Sequence, residues 1–512
     1  MPAVTAPPAP RVTVPCPPAL MVGGMCSGCG KTTLTLALLA ALRARHMVVQ
    51  ACKAGPDFID PAHHAVFTGR PSYNLDAWMG GTDGLERAFA AAIDSLNASP
   101  AASPSMIRAP RDIAPHLQRL LLVEGVMGLF DGAAPPPRAG NNLGEGEGSS
   151  ATVARLCALP VLLVVDVRGM AQSAAAVVQG FLRYRPDISF VGIVCTHVGG
   201  LRHQSILRQA LAHCDAPLLG LLPRADAPHL PSRHLGLLMP HELHLHAAPL
   251  AAWLENHMDI DTLLRRLCPL NPSHGQQKTA RVNTPAVTTS LTRAPSSPAL
   301  PRHKKTRPTI AIAHDAAFCF LYPDFPEVLR QEGANTIFFS PLHDAVLPPC
   351  AALYLPGGYP ELHAEQLSAN TALRAAILAY AQSGGTIYGE CGGYMYMMHS
   401  ITTAAGTWPM TACLPLTCRL ETQRAALGYR HARPASAAFW GDDTLCVRTH
   451  EYHYARVLPG PELPPLWQVS DAALRPLPDE GVQLGRLAGS WLHLYPQGAR
   501  PLLTRFIQGL QP

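Results

Sequence analysis

The sequence predicts two α/β domains, each built around a largely parallel β-sheet. The chain has 512 residues, of which 48% are hydrophobic and only 15% are charged, so it can bury two or more cores. Short apolar runs of strand length alternate with Ala- and Leu-rich stretches, which is the pattern of βαβ units. Residues 268–308 are rich in Pro, Ser and Thr and lack hydrophobic periodicity, which is typical of a flexible linker.

The strands are predicted at the apolar runs that precede glycine- or acid-containing turns. They are residues 19–22, 120–123, 161–166 and 191–194 in the first half, and 309–313 and 352–355 in the second. We therefore expect a disordered tail over 1–17, a first domain over 18–267, the linker over 268–308 and a second domain over 309–512. A proline-rich run at 133–137, followed by the glycine-rich stretch 140–148, predicts a long mobile loop inside the first domain.

Composition narrows the classes of partner. The net charge of +5 arises from 40 basic and 35 acidic residues without a long block of one sign, so no nucleic-acid partner is expected. No run of about 20 apolar residues and no signal peptide are present, which predicts a cytoplasmic protein without a membrane partner. The 14 cysteines are then expected to be reduced. A homodimer is compatible with the sequence but is not indicated by it.

A phosphate-binding loop is predicted after the first strand, because a glycine-rich turn there leads into a helical run over 34–45. Backbone N–H groups at such a turn bind phosphate oxygens, lysine adds charge, and a threonine hydroxyl can bind Mg²⁺. Five residues separate the first glycine from the Gly-Lys pair, one more than in the common form. The alternatives for the CxxC pair Cys26 and Cys29 are half a zinc site or a redox dithiol. The predicted ATP-binding residues are Gly24, Gly28, Gly30, Lys31, Thr32 and Thr33.

Two further loops carry charged residues to the same predicted edge of the sheet. Lys53, Asp57 and Asp60 lie in a Gly/Pro-rich loop after the second strand region. The two aspartates are either site residues or solvated turn residues. Glu124 directly follows an apolar strand, so we predict that Glu124 and Thr32 hold Mg²⁺.

In the second half, Cys391 is predicted to be a nucleophile. It lies between an apolar strand and a helix-like run and is flanked by glycines, as in a nucleophile elbow. The N–H groups of Gly357, Gly358 and Gly392 are predicted to form an oxyanion hole. A buried structural cysteine is the alternative.

A cysteine nucleophile needs a base, and three histidines near the end of the chain are candidates. Spacing alone does not choose among His450, His453 and His493.

With these motifs in view, the chain resembles the cobyrinate (or hydrogenobyrinate) a,c-diamide synthase family over nearly its full length. The resemblance implies a P-loop domain like dethiobiotin synthetase, which shares the unusual glycine spacing, followed by a class I glutamine amidotransferase-like domain. The matching segments of the first half are Ser27-Gly-Cys-Gly-Lys-Thr-Thr, Lys53-Ala-Gly-Pro-Asp-Phe-Ile-Asp-Pro with His63 or His64 after it, Asn74-Leu-Asp-Ala-Trp-Met, Glu124-Gly-Val-Met-Gly-Leu-Phe-Asp-Gly, Ser149-Ser-Ala-Thr and Arg233-His-Leu-Gly-Leu.

The second half carries the remainder of the resemblance and the implied glutaminase residues. By that resemblance Cys391 is the glutaminase nucleophile and His493 its base. The matching segments are Ala317-Phe-Cys-Phe-Leu-Tyr, Leu355-Pro-Gly-Gly-Tyr-Pro-Glu-Leu, Glu390-Cys-Gly-Gly-Tyr, Leu427-Gly-Tyr, His450-Glu-Tyr-His-Tyr and Ser490-Trp-Leu-His.

The chain departs from the pattern of the resembled families at a few positions. Thr196 replaces an Asn, which bears on the nucleobase contact, and Phe325 replaces another Asn near the domain interface. Class I glutaminases often carry Glu two residues after the histidine. Tyr495 stands there, so the chain looks like the branch that works without that third member.

The resemblance implies an amidoligase that uses ATP, Mg²⁺ and glutamine to amidate the a and c acetates of a corrinoid through acyl phosphates. Lys53 would support developing phosphate charge, and Asp57 and Asp60 would handle metal or ammonia. The alternatives are an amidoligase for another tetrapyrrole or for cobyric-acid side chains, and a P-loop partitioning or regulatory ATPase.

Overall fold

A computed structural model describes residues 17–98, 118–133, 146–267 and 307–510, apart from a few positions between 226 and 244. The tail, the linker up to residue 306 and most of the predicted 133–148 loop lie outside these residues. Within the described ranges, no helix combines the length and apolarity needed to cross a bilayer.

The described residues of the N-terminal half form a seven-stranded sheet in the order β3-β2-β4-β1-β5-β6-β7, with every neighbouring pair parallel. The apolar runs predicted from the sequence fall within its strands, because Val, Leu and Ile residues buried on both faces favour a parallel sheet. A short antiparallel pair of strands, β8 and β9, each two residues long, follows. The strands are β1 Ala19–Gly24, β2 Val48–Ala54, β3 Tyr73–Leu75, β4 Arg119–Glu124, β5 Val161–Asp166, β6 Phe190–Val198, β7 Leu218–Pro223, β8 Ser232–Arg233 and β9 Gly236–Leu237.

Helices cover both faces of this sheet and form two apolar cores with it. The first helix begins at Lys31, three residues before the predicted start, because the left-handed Gly30 (φ 95°) leads directly into its first turn. The helices are α1 Lys31–Ala44, α2 Ile59–Thr68, α3 Gly81–Ala98, α4 Ser150–Leu156, α5 Ser173–Tyr184, α6 Leu201–Leu211, α7 Ala247–His257 and α8 Ile260–Arg266.

The C-terminal half contains a six-stranded sheet in the order β11-β10-β12-β13-β22-β21, parallel except for its last pair. Two four-stranded sheets, β15-β14-β16-β19 and β20-β17-β18-β23, flank it. The strands are β10 Thr309–Ala313, β11 Asn335–Phe339, β12 Ala352–Leu355, β13 Thr386–Glu390, β14 Ser400–Thr403, β15 Gly406–Pro409, β16 Thr417–Leu420, β17 Ala426–Pro434, β18 Val447–His453, β19 Ala455–Val457, β20 Trp467–Asp471, β21 Val482–Leu484, β22 Leu487–Ser490 and β23 Leu492–Leu494.

The helices of this half complete a second α/β unit, so the predicted fold class of two α/β domains is confirmed. A short 3₁₀ helix, Pro360–His363, precedes the second of these helices. They are α9 Phe325–Gln331, α10 Ala364–Ala369, α11 Thr371–Gln382, α12 Gly392–Met397, α13 Ala437–Trp440 and α14 Arg500–Gly509.

Two apolar clusters of the described residues contain side chains of both halves. Trp78 and Met79 of the N-terminal half are buried among side chains of the C-terminal half. The Trp78 ring stacks on Tyr429 at 4.5 Å between centroids, and its backbone carbonyl accepts a 2.9 Å hydrogen bond from Arg448. The Tyr429 hydroxyl donates to Asp76 Oδ2 at 2.9 Å. The functional loops of the two halves are therefore held in a fixed relation.

Candidate active site

The predicted phosphate loop joins β1 to α1 in the conformation that its glycines require. Gly28 and Gly30 have φ of 74° and 95°, the left-handed region that favours glycine. A Cβ atom on Gly24 would lie 2.4 Å from the Cys29 sulfur, so this position excludes a side chain. The loop N–H groups and the N-terminus of the 14-residue α1 thereby form an anion-binding turn.

Lys31 lies buried at the start of α1, with Thr32 and Thr33 half-buried beside it. Its Nζ donates to the Cys26 carbonyl at 2.9 Å, inside the loop. Burial lowers the pKa of Lys31. An ammonium with so little solvent around it gains from a phosphate anion that replaces the missing water.

The Lys53 ammonium lies near the carboxyl ends of β2 and β4, between the buried carboxylates of Asp60 on α2 and Glu124 on β4. Its Nζ is 2.6 Å from Asp60 Oδ2 and 2.9 Å from Glu124 Oε1. Thr32 Oγ1 donates to the same Glu124 oxygen at 2.6 Å and lies 3.5 Å from Asp60 Oδ2. The parallel register places Lys53 directly opposite Glu124, so strand pairing alone joins these two groups. The structure thus brings together four of the predicted site residues.

The charges of this cluster stabilise one another against burial. Burial opposes the ammonium of Lys53, but Asp60 and Glu124 outweigh it and raise the pKa of Lys53. Burial also opposes the Glu124 carboxylate, yet Lys53 and His64 lower its pKa below the usual range. For Asp60, burial and the nearby charges of Asp57 and Glu124 raise the pKa. Lys53 and Glu124 are thus a charged pair in a site that excludes water.

Asp57 has a different position from Asp60. Its Oδ1 accepts hydrogen bonds from the N–H groups of Ile59 and Asp60 at 2.8 and 3.3 Å, which fixes the first turn of α2. Asp60 is 8% exposed, which rules out the alternative of a solvated turn residue for this aspartate. Asp57 is half-buried and borders the Lys53 cluster.

His64 belongs to this site and was not among the predicted site residues. Its Nε2 lies 2.8 Å from Glu124 Oε2, and its Nδ1 lies 3.1 Å from Ser72 Oγ. Asp60 and His64 are four residues apart on α2, so they share a helix face. That spacing is the signal in the sequence that could have identified His64.

Thr196 lies at the end of β6 against the phosphate loop. Its hydroxyl donates to the Cys29 carbonyl at 2.7 Å, and its side chain is 3.2 Å from where a Gly30 Cβ would lie. The threonine found in place of the resembled family's asparagine is 5% exposed and braces the loop.

Cys391 lies in a strained turn between β13 and α12. Its φ of 47° lies in the left-handed region, which is unusual for a residue with a side chain and typical of a nucleophile elbow. Cys391 N donates to the Ser490 carbonyl at 2.7 Å, which holds the turn against β22. Burial raises the pKa of the Cys391 thiol, so the thiol stays protonated until a base removes its proton.

The predicted oxyanion glycines lie against this elbow. A Cβ on Gly392 would be 3.0 Å from the Gly358 nitrogen, and a Cβ on Gly357 would be 2.6 Å from His493 Cε1. Gly358 itself has φ of 157° and leaves no room for a side chain. The Gly357–Gly358 backbone therefore lies close to both the Cys391 elbow and the His493 ring.

The three candidate bases occupy different environments. His493 on β23 pairs in register with His450 on β18, and their rings stack at 4.7 Å. His453 has both ring nitrogens in hydrogen bonds, to Glu451 Oε1 at 2.9 Å and to the Ala455 carbonyl at 2.7 Å. Among the described residues, Nδ1 of His493 and Nδ1 of His450 have no hydrogen-bond partner. Both nitrogens of His453 are therefore engaged within the protein.

A cavity of about 480 Å³ opens at Cys391. It is mixed in character, with apolar walls and a few polar groups, and it is large enough for an amino acid. Its lining residues are Phe320, Gly358, Tyr359, Glu361, Leu362, Cys391, Met395, Leu420, Glu421, Thr422, Tyr452, His453, Tyr454 and Ala455.

Phe58 connects the two sites. It lies between Asp57 and Asp60 in sequence, and its ring stacks on Phe320 of the C-terminal half at 5.0 Å between centroids. The same ring lies 5.4 Å from the His493 ring. One loop thus carries carboxylates of the first site and a direct contact with the candidate base of the second.

Two departures from the resembled patterns have structural roles at this interface. The Tyr495 hydroxyl donates to the Asn74 carbonyl across the interface at 2.8 Å. Phe325 is buried and stacks on Tyr354 at 4.7 Å, so the apolar residue contributes to the core where an asparagine is expected.

Comparison with known proteins assigns both halves of the chain. Residues 20–238 match the CobQ/CobB/MinD/ParA nucleotide binding domain, and residues 309–500 match the CobB/CobQ-like glutamine amidotransferase domain. Among solved structures, PurLQS from Thermotoga maritima gives a TM-score of 0.32 at 13% identity, covering 40% of this chain and 100% of that one. A likeness this weak adds nothing to the assignment.

Curated relatives match nearly the whole chain. The hydrogenobyrinate a,c-diamide synthase of Brucella suis is 37% identical over 479 residues, 93% of this chain and 97% of the relative. The cobyrinate a,c-diamide synthase of Syntrophotalea carbinolica is 37% identical over 487 residues, 93% and 95% of the two chains. The family predicted from the sequence is confirmed: the chain belongs to the a,c-diamide synthase family of glutamine amidotransferases, whose members are named for hydrogenobyrinate or cobyrinate.

Proposed function

We propose that this protein uses ATP and glutamine to convert the a and c acetate carboxylates of cobyrinate or hydrogenobyrinate into carboxamides, in cobalamin biosynthesis. The observation that carries the proposal is the joining of two sites by one loop. The Lys53 cluster and phosphate loop form a site for phosphoryl transfer, Cys391 lies in a nucleophile elbow, and Phe58 contacts both halves. Family membership supplies the ring as substrate.

In the N-terminal site, a carboxylate oxygen of the ring attacks the γ-phosphorus of ATP and ADP leaves. The product is an acyl phosphate, which is needed because a carboxylate is a poor electrophile whereas phosphate leaves readily. Lys31 and the loop N–H groups hold the phosphates. Lys53 balances the growing negative charge, because two carboxylates hold its ammonium in place.

The residues around Thr32 suit Mg²⁺. Thr32 Oγ1 lies 2.6 Å from Glu124 Oε1 and 3.5 Å from Asp60 Oδ2, and hard oxygen donors are the ligands that Mg²⁺ prefers. Thr32 and Glu124 would hold the ion, with Asp60 beside them. When bound, Mg²⁺ neutralises phosphate charge and orients the nucleotide.

In the C-terminal site, the Cys391 thiolate attacks the side-chain amide of glutamine and His493 accepts the thiol proton. His493 then donates a proton to the leaving nitrogen, so ammonia is released and a thioester remains. The N–H groups of Gly357, Gly358 and Gly392 stabilise the oxyanion. Water hydrolyses the thioester to glutamate, while ammonia attacks the acyl phosphate and phosphate leaves.

The decisive test is product analysis by mass spectrometry. Purified protein is incubated with MgATP, glutamine and either cobyrinate or hydrogenobyrinate. We expect two hydroxyl groups of the ring acid to be replaced by two amino groups, with no third replacement. Glutamine hydrolysis without amidation of either ring would contradict the corrinoid assignment.

The Cys391→Ala variant tests whether glutamine hydrolysis and amidation occur at separate sites. This variant should lose glutamine-dependent amidation but keep amidation driven by ammonium salts. Cys413→Ala is a matched control, because Cys413 is also 7% exposed but lies outside the proposed machinery. Loss of both activities in Cys391→Ala alone would argue against separate sites.

Several features stay predictions. These are a cytoplasmic location, the absence of a nucleic-acid partner, a homodimer and the domain boundaries at 17, 267 and 308.

A further inference from the structure

His493 carries a buried ring nitrogen without a hydrogen-bond partner among the described residues. The residue is 2% exposed, and its Nδ1 is the unpartnered atom. A buried donor or acceptor in this state destabilises the fold, so such an atom calls for an explanation. In a proton-transfer site the usual partner is a group that orients the imidazole.

One carboxylate faces that nitrogen. Among the described residues, Glu390 is the only acid with an oxygen within 4 Å of His493 Nδ1, at 3.8 Å from Oε2. Glu390 is itself 2% exposed, so no bulk water screens the pair. The rings of Phe58, Phe320 and His450 also lie beside the imidazole.

The fold holds Glu390 in this place. It ends the central strand β13, opposite Ser490 of β22. Its Oε1 accepts a hydrogen bond from the N–H of Leu494, the residue after His493, at 3.3 Å. The carboxylate is thus tied to the same strand as the imidazole.

We propose that Glu390, the residue immediately before the nucleophile, is the positioning residue of His493. It takes the place of the glutamate that many class I glutaminases carry two residues after the histidine, where this chain has Tyr495. Tyr495 is directed away to the other domain and donates to Asn74. The proposal deepens the glutaminase step of the proposed function and rests on it.

The chemistry follows from the two nitrogens of the ring. For His493 to accept the Cys391 proton at Nε2, its own proton must be on Nδ1. An ionised Glu390 accepts that Nδ1–H and then stabilises the imidazolium formed when the thiol proton arrives. A separation of 3.8 Å must shorten by about 1 Å to make this bond, and catalytic hydrogen bonds often tighten when substrate binds.

Charge at this site is costly, which gives the pair a pH signature. Burial raises the pKa of Glu390 to about 8 and, together with His453, lowers the pKa of His493 to about 3. Other titratable groups that act on the pair are Tyr354, Tyr388, Cys391, His450, Glu451 and His453. The pair favours a neutral resting state, and ionisation of Glu390 is the step that prepares His493 to act as base.

The test compares Glu390→Gln with Glu390→Asp in the full-length enzyme. Glutamine hydrolysis should fall about 100-fold in kcat for Glu390→Gln, with little change in KM, whereas ammonia-driven amidation should change less than about twofold. Glu390→Asp keeps the charge and should retain more hydrolysis than Glu390→Gln. The charge of Glu390 acting directly on Cys391 raises the pKa of the thiol, so on that effect alone alkylation by iodoacetamide would shift to lower pH in Glu390→Gln. Loss of a positioned His493 base predicts the opposite, with the half-maximal rate of alkylation about one pH unit higher.

Glu480→Gln is the matched control. Glu480 is also a carboxylate near β22, but it accepts hydrogen bonds from the Ser490 hydroxyl and the Trp491 N–H instead of facing His493. Its alkylation profile should match that of the unmodified protein. Normal hydrolysis in Glu390→Gln, or equal loss of hydrolysis and ammonia-driven amidation, would overturn the proposal. If the unmodified protein amidates neither ring, the corrinoid assignment fails while hydrolysis and alkylation still test Glu390.

Discussion

Replacing Lys53 with Met should destabilise the N-terminal half by an amount that depends on pH. Lys53 is 3% exposed, and its ammonium lies 2.6 Å from Asp60 and 2.9 Å from Glu124. At an effective dielectric constant near 20, two opposite charges 4 Å apart attract by about 4 kcal/mol. Burial of the two charges offsets much of the attraction between Lys53 and Glu124, and breaking a buried pair typically costs about 3–5 kcal/mol. We expect a loss of that size at pH 8.

The pH dependence follows from Glu124. In the unmodified protein its pKa is lowered by Lys53 and His64 against the effect of burial. Its contribution to stability is therefore present above its ordinary pKa and is lost as the pH falls through the lower, folded-state value. Without Lys53 the dominant effect is burial, which raises the pKa, so the variant regains stability as the pH falls. The difference between the two proteins should narrow from pH 8 to pH 5.

Hydrogen exchange of peptides from β2 and β4 measures this loss without requiring two-state unfolding of the whole chain. Arg183→Met is the control, because Arg183 pairs with Asp215 in an exposed contact worth no more than about 1 kcal/mol. A Lys53→Met loss no larger than that of the control, or equal losses at pH 8 and pH 5, would refute the reasoning.

Four further substitutions give separate checks. Phe58→Ala removes ring contacts between the halves, so glutamine-dependent amidation should fall more than ammonia-driven amidation; equal changes would contradict a coupling role. Gly393→Ala would place a Cβ 1.9 Å from a carbonyl oxygen of β12 and should prevent folding of the C-terminal half. Gly180→Ala in α5 is the control, because its Cβ would meet nothing within 4 Å; it should raise the free energy of unfolding by about 0.5–1 kcal/mol, measured by thermal unfolding. Tyr495→Phe leaves the buried Asn74 carbonyl without this donor and should cost about 1–3 kcal/mol; an unchanged unfolding temperature would argue against the bond.

Local patterns predicted much of the fold. The strands β1, β5 and β10 follow from short apolar runs, because burial on both faces of a parallel sheet selects for such runs. The start of α1 was misplaced by three residues, because the helical pattern begins at Leu34 whereas the loop glycine sets the first turn at Lys31. Residue spacing therefore predicts the periodic part of a helix better than its first turn, which depends on the residue that precedes it.

The site was predicted in part, for a related reason. Lys53, Asp60 and Glu124 were expected near the ends of parallel strands, and they converge there. That the lysine would lie between the two acids, and that His64 would bond Glu124, depends on register and side-chain direction, which a single sequence does not encode locally. The contact of Glu390 with His493 could not be predicted from the sequence, because the two residues are 103 positions apart in the chain.

The burial of Trp78 has a consequence for how such a protein can be divided. Trp78 is fully buried in an apolar cluster formed by both halves, and an aromatic side chain of this size buries about 150–250 Å². At about 25 cal/mol per Å² this burial is worth roughly 4–6 kcal/mol, and the opposite half supplies the part made against Tyr429, His431 and Arg448. A polypeptide cut between residues 268 and 308 should therefore elute as one complex, and two separately encoded fragments should complement each other in one cell. The covalent connection would then mainly ensure that the two halves are synthesised in equal amounts.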